Sequence, residues 1–273
     1  MKRILVPTDF SEQAENALKV ALILAEKHKS EIYVLHSMET QLQLATAKSS
    51  GSLPESLFFI KLAEKRFNDL RESDYLKGIE INEAIGHNEI YEDIEAACKK
   101  NKIDLIVMGS SGASGFKEMF VGSNTEKVVR TSKTPVLVIK NNHPDFNVKD
   151  FVFASDFSEG GRGALKKAHK FAKKIGAKMH LLYVNTPAGF KTSLQAQELM
   201  DDFVKEMDVE NYTTNIFNDT SVEKGILNFT HFINAELIGM GTHGRKGISH
   251  FFNGSISEDM VNHANMPVIT FKI

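Results

Sequence analysis

At 273 residues the chain is long enough for two domains, each with its own core. Its 33 basic and 35 acidic residues leave a formal charge of -2, so no global field favours DNA, RNA or a membrane surface, and neither is expected as a partner. A single cysteine, Cys98, excludes an intrachain disulfide, and no apolar run approaches the length of a signal segment or a spanning helix, so the chain reads as cytoplasmic.

Residues 2–6 form a short apolar strand ending in Pro7-Thr8-Asp9. Ser11 then caps a helix whose apolar positions Ala14, Ala17, Leu18, Ala21, Leu22 and Ala25 recur at helical spacing. Glu31 to His36 is a second buried strand, and His36 at its end reads as a core or crevice-wall residue rather than a base. A stretch of low periodicity follows, with Ser49 to Pro54 its most loop-like portion, and then an amphipathic helix from Phe58 to Leu70. Strand Glu80–Ala84, helix Glu89–Lys100, strand Asp104–Met108, helix Ser123–Ser132 and strand Val136–Ile139 complete a βαβαβαβαβ order. Ile90, Ile94, Ala97 and Cys98 share one helical face, which makes buried packing the leading reading for Cys98 and redox sensing the alternative. The short polar segment Asn141 to Val148 is the linker between domains expected at 1–141 and 148–273, which should therefore pack together.

The second half repeats the order, with strands Phe151–Ala154, His180–Val184, Thr213–Ile216, Leu237–Met240 and Val268–Phe271, and helices Gly163–Ile175, Leu194–Lys205, Val222–Asn234 and Ser255–His263. The repetition is also literal. Ile4 to Glu12 matches Phe151 to Glu159 at an offset of 147 residues, and both contain Asp-Phe-Ser-Glu. Gly109-Ser-Ser-Gly112, nine residues, Gly122-Ser123 matches Gly241-Thr-His-Gly244, nine residues, Gly254-Ser255 at an offset of 132. The difference, about 15 residues, is an insert in the first half around Gln41 to Phe59. A tandem duplication accounts for both offsets. Alternating strands and helices with buried, β-branched strands imply a parallel sheet covered on both faces in each half.

In open α/β sheets the ligand crevice lies beyond the carboxyl ends of the strands, where both motifs fall. Gly109 and Gly112 offer no Cβ to obstruct a phosphate, and Gly122-Ser123 opens a helix whose amides and dipole favour an anion. Ser123 and Thr125 add hydroxyl donors. The Asp9 carboxylate suits an adenine amino group, a ribose hydroxyl or a magnesium ion. Ser123 and Ser255 also read as plain N-caps, and His243 as a loop residue or a ligand contact. Phe10 and Phe157 are expected to staple their helices to the sheet. The histidines lack metal-ligand spacing, and no nucleophile–base pair, Walker lysine loop or Gly-x-Gly-x-x-Gly fingerprint is present.

Val6 to Ser11, joined to Met108–Gly112, Val121–Ser123 and Thr134–Ile139, resembles the universal stress protein family, and the match covers nearly the whole chain twice. The resemblance implies two tandem Rossmann-like domains of the adenine nucleotide alpha hydrolase-like type. Each would be a five-stranded parallel sheet flanked by helices, packed as a pseudo-dimer in which Val136–Ile139 meets Val268–Phe271. ATP-binding members carry Gly-2x-Gly-9x-Gly-Ser/Thr, which both halves keep. By resemblance Pro7, Thr8 and Asp9 border adenine and ribose, with Ser37 where the family usually has an apolar residue. Met108, Gly109, Ser110, Gly112, Gly122, Ser123, Asn124 and Thr125 line the ribose and phosphates. The same positions of the second half are Ala154, Ser155, Asp156 and Val184, followed by Met240, Gly241, Thr242, Gly244, Gly254, Ser255, Ile256 and Ser257. The implied function is an ATP-binding stress-response module, with or without magnesium, that senses nucleotide and alters partner contacts through loops near Gly112 to Phe120 and Gly244 to Phe252. The alternatives are a slow ATPase or autophosphorylating enzyme, and a carrier of another small ligand in a pocket bounded by Leu53 to Ile60. Association into a homodimer and an unidentified protein partner are further expectations.

Overall fold

The computed structural model describes residues 1–38, 53–110, 122–205, 207–242, 257, 260–261 and 264–273, with side chains from residue 57 onward in the second of these stretches. The first half runs β1 (Arg3–Pro7), α1 (Glu12–His28), β2 (Glu31–Ser37), α2 (Leu53–Arg71), β3 (Ile81–Gly86), α3 (Ile90–Asn101), β4 (Leu105–Gly109), α4 (Ser123–Thr131) and β5 (Val136–Ile139). The second runs β6 (Asp150–Ala154), α5 (Arg162–Ile175), β7 (Lys178–Asn185), α6 (Ser193–Val204), β8 (Tyr212–Asn218), α7 (Val222–Phe232), β9 (Leu237–Thr242) and β10 (Val268–Lys272). Residues 257 and 260–261 are helical, within the span expected for the last helix.

Local chemistry sets these elements. Ser11 caps α1 by accepting from the Ala14 amide at 3.3 Å, and the anticipated apolar stripe of that helix is buried. The helix stops where Lys29 turns left-handed and its amide bonds to the Ala25 carbonyl. One expectation needs correction. The helix expected from Phe58 begins at Leu53, so Leu53 and Pro54, expected to be loop-like, belong to α2, since proline is accommodated in a first turn whose amides have no intrahelical partner anyway. Among the described residues, nothing covers Leu57 and Phe58 on this helix, which are exposed.

The strands form one sheet of ten in the order β3-β2-β1-β4-β5-β10-β9-β6-β7-β8. Pairing is parallel within each half and antiparallel only at β5–β10, where Val138 faces Val268, Leu137 faces Ile269 and Val136 faces Thr270. The expected pairing of last strands therefore occurs within the chain. Helices α1, α2, α5 and α6 cover one face and α3, α4 and α7 the other. Each face carries one apolar cluster that draws residues from both halves. The linker is anchored too: Val148 is buried and Asn141 Nδ2 donates to the Asn265 carbonyl at 3.0 Å. Among the described residues, no helix is long and apolar enough to cross a membrane.

Phe271 on β10 is fully buried, with its ring 6.3 Å from Phe153 and 6.2 Å from Phe171. Truncation to Ala leaves a cavity beside the joint between the halves. Phe271→Ala is expected to lower stability by about 3–5 kcal/mol, read as a shift of the urea midpoint.

Candidate functional site

Chain order reverses direction in each half of the sheet. After β1 the chain moves outward to β2 and β3, then returns to place β4 on the other side of β1. The switch point between β1 and β4 leaves a crevice beyond their carboxyl ends, and β6 and β9 create its counterpart. Pro7-Thr8-Asp9 is thereby set beside Met108-Gly109-Ser110, and Ala154-Ser155-Asp156 beside Met240-Gly241-Thr242.

The turn leaving β1 is built by its own side chains. Thr8 Oγ1 accepts from the Phe10 amide at 3.0 Å, and Asp9 Oδ1 accepts from the Ser11 amide at 3.0 Å. The turn leaving β6 repeats this: Ser155 Oγ accepts from the Phe157 amide at 2.9 Å, and Asp156 Oδ1 accepts from both the Ser158 amide and its hydroxyl. Between them Phe10 and Phe157 take φ of 62° and 56°, the left-handed region that bulky side chains avoid. Such a conformation costs about 1–3 kcal/mol and persists where surrounding contacts over-determine it. Here the rings supply those contacts. Phe10 packs on Phe67 at 5.2 Å and His36 at 4.8 Å, and Phe157 on Phe203 at 5.3 Å and Tyr183 at 6.3 Å. Each ring joins a later helix of its half to the second strand, Phe10 linking α2 to β2 and Phe157 linking α6 to β7, where stapling of the helix that follows was expected.

Three positions behave differently from the sequence reading. A Cβ on Gly109 would lie 2.8 Å from the Gln13 backbone, so this glycine is required for packing α1 on β4, whatever else approaches it. Thr125 is buried and its hydroxyl donates to the Gly109 carbonyl at 2.9 Å, so it fastens α4 to β4 and is not available as a phosphate donor. The Ser37 hydroxyl lies 2.8 Å from Asp93 Oδ2 and 2.9 Å from the Asn88 carbonyl, binding β2 to the head of α3. No pattern in the sequence tied residues 37 and 93 together.

The Ser110 amide donates to Ile139, and the Ser110 carbonyl accepts from Gly122, which closes the loop onto α4. The N-cap of helix α4 is Gly122, which has no side chain to cap it, while Ser123 and Asn124 stand exposed in its first turn. Gly112 lies outside the described residues, as do Gly244, Gly254, Ser255, Ile256, His243 and the whole of both loops expected to contact a partner. In the second half, Ala154, Ser155, Asp156 and Val184 line one pocket of about 10 Å³ together with Tyr183 and Val222. Gly241 joins Ser155 and Asp156 around another of similar size, where Ile273 also packs. Thr242 and Ser257 are buried, and Thr242 Oγ1 has no hydrogen-bond partner among the described residues. Tyr183 was missed by the sequence reading, although the 147-residue offset pairs it with His36.

The buried His36 donates from Nδ1 to the Thr8 carbonyl at 2.9 Å. Burial holds its pKa below the ordinary 6.5, against the opposing pull of that carbonyl, with Arg66 adding to the depression and Asp9 opposing it.

These repeats place the chain in a known class. A model of the universal stress protein family matches residues 1–140 and again 147–272, and the chain belongs to that family. A universal stress protein of Methanocaldococcus jannaschii is 31% identical over 153 residues, covering 51% of this chain and 94% of that protein. One from Synechocystis is 23% identical over the full length of both. The crystal structure of a universal stress protein from Archaeoglobus fulgidus superposes with a TM-score of 0.70 at 26% identity, covering 99% of this chain and 96% of that one.

Two outcomes follow from this geometry. Gly109→Ala should destabilise by about 1–3 kcal/mol because the new methyl meets backbone. Gly163→Ala, where a Cβ meets nothing within 4 Å in helix α5, should stabilise by about 0.5–1 kcal/mol. Urea midpoints distinguish the two. For His36, the unfolded chain takes up a proton that the folded state resists, so its contribution is complete above pH 6.5 and is lost progressively below it. His36→Phe should flatten the loss of stability between neutral pH and about pH 5. A residual slope should remain from His28 and His143, which burial also lowers.

Proposed function

We propose that the chain is a nucleotide-sensing module with one adenine-nucleotide seat in each half, ATP being the ligand. The observation that carries this reading is the same strained, side-chain-locked turn, set beside the same glycine at the same switch point, in both halves. A turn that spends conformational energy twice over fixes a carboxylate at the mouth of each crevice.

In the first half Pro7, Thr8 and Asp9 border base and ribose, with Ser37 and His36 forming the outer wall. Met108, Gly109 and Ser110 lie under the ribose. Gly112, Gly122, Ser123 and Asn124 face the phosphates, and the uncapped start of α4 supports this because its first amides suit an anion. In the second half Ala154, Ser155, Asp156 and Val184 take the base side, and Met240, Gly241, Thr242, Gly244, Gly254, Ser255, Ile256 and Ser257 the ribose and phosphate side. The buried Thr242 hydroxyl, without a partner among the described residues, supports a ligand there, since such a group costs free energy unless something bonds to it. Among the described residues no three carboxylate, imidazole or thiol groups converge on a metal, so magnesium would arrive on the phosphates with Asp9 or Asp156 as a protein ligand.

Titration calorimetry with ATP and magnesium tests the reading. The intact chain should bind two equivalents, with one lost in Gly122→Val and the other in Gly254→Val, where a side chain obstructs the phosphate seat. Absence of binding heat, together with absence of nucleotide retained through purification, would overturn it.

A further inference from the structure

A cavity of about 320 Å³ lies between α3 and α4 on the face of the sheet away from α1, and none of the nucleotide-site residues lines it. Its volume is in the range of small-molecule sites. Along α3 the wall is a single stripe of Tyr91, Ile94, Glu95, Cys98 and Lys99, spaced at three and four residues. Val128 on α4 and Ile94 form a floor that is almost fully buried. Lys127 lies 3.8 Å over the Tyr91 ring and is paired with Glu89, which holds that ring in place.

The mouth is cationic. Lys99 and Lys133 are exposed at its rim, and neither forms an ion pair among the described residues. Glu95 is the one carboxylate in the lining, so two positive charges face one negative. At the carboxyl end of α4 the Val128 carbonyl accepts from the Ser132 amide and the Lys127 carbonyl from Thr131 Oγ1, and Lys133 stands just beyond that negative end, where a cation is favoured.

The second half carries different residues at the matching positions. At the 132-residue offset Glu95 becomes Leu227, Val128 becomes Met260 and Thr134 becomes Met266, all larger or more apolar. Cys98 becomes Thr230, which is completely buried with its hydroxyl on the Ile226 carbonyl, whereas Cys98 is only half-buried. The two rim lysines become His231 and Asn265. The smaller lining residues and the cationic rim thus occur together in one copy and are exchanged together in the other, while the floor stays apolar in both.

We propose that this cavity is a binding site for a small amphipathic anion, an apolar body seated on Ile94 and Val128 with a single anionic head between Lys99 and Lys133. The site requires nothing of the nucleotide seats and stands or falls apart from them.

Cys98, the chain's single cysteine, reports occupancy from inside the lining. Burial pushes its thiol up to about 11, so labelling is slow at neutral pH and is best followed by intact mass at mildly alkaline pH. The probe is anilinonaphthalene sulfonate, with phenylnaphthylamine as the same ring system lacking the sulfonate. At ten times its half-saturating concentration the sulfonate should slow maleimide labelling of Cys98 about tenfold. In the double variant Lys99→Glu, Lys133→Glu, both exposed positions that leave the core intact, about tenfold more sulfonate should be needed for the same protection. The neutral compound should protect the native chain less well and the double variant equally. Failure of saturating sulfonate to protect Cys98 would overturn the site, and equal protection by both compounds, indifferent to the charge reversal, would overturn its preference for anions.

Discussion

The molecule depends on the antiparallel joint between β5 and β10. Val136 to Ile139 is buried at every position, and so are Val268 to Phe271. As a free edge, either strand would expose an apolar ladder with unpaired amides and carbonyls, the usual template for aggregation. Paired with each other, they turn two five-stranded sheets into one and let the apolar cluster on each face run through both halves. Side chains reinforce the joint from both sides. Lys272 Nζ reaches the Arg130 carbonyl at the end of α4, and Lys27 Nζ reaches the Ile175 carbonyl at the end of α5, each a cation placed at the negative end of the other half's helix. The outer edges are left to β3 and β8, whose residues are mostly half-exposed or exposed.

The direction of the joint also has a functional consequence. Because the two last strands are antiparallel, the carboxyl ends of the strands lie on opposite edges of the sheet in the two halves, and so do the two crevices. A ligand in one crevice does not touch the other. Any communication between them passes through the shared cores and the joint itself, which is three residue pairs between two buried strands.

Much of this was legible in the sequence because duplication supplies an internal control: a strand read once from Ile4 to Val6 is read again from Phe151 to Phe153, while the pairing of the Val136 and Val268 strands came from the family resemblance and is present in the structure. What escaped was set by tertiary contact. Phenylalanine is a poor candidate for a left-handed residue, and only the rings of Phe67 and Phe203, more than forty residues downstream, hold Phe10 and Phe157 there. Thr125 looked like a ligand donor because its hydroxyl sits two residues into a helix that faces the crevice, yet the nearest acceptor is the Gly109 carbonyl. The start of α2 was read as loop because Pro54 and the preceding serines are punctuation in an isolated chain, whereas a first turn tolerates the proline.

The two halves keep the turn and diverge around it, and the divergence is physically coupled. Ser37 in the first half is Val184 in the second, while Asp93 is Gly225. These are one exchange and not two. Asp93 is buried, and its carboxylate is satisfied by the Ser37 hydroxyl and by the Asn88 backbone and side-chain amides. Replacing serine by valine removes one of those donors, and a branched apolar side chain beside a buried carboxylate would leave it short of a partner. In the second half the conflict is absent, because a Cβ on Gly225 would lie 2.3 Å from Val184 Cγ1, so the valine fits only where residue 225 has no side chain. The outer wall of one crevice is therefore polar and hydrogen-bonded, and that of the other is apolar and close-packed, while the strained turn at the inner wall is the same in both. The energy stored in that turn is the part of the architecture that both copies maintain, and the surroundings are where each copy has been free to change.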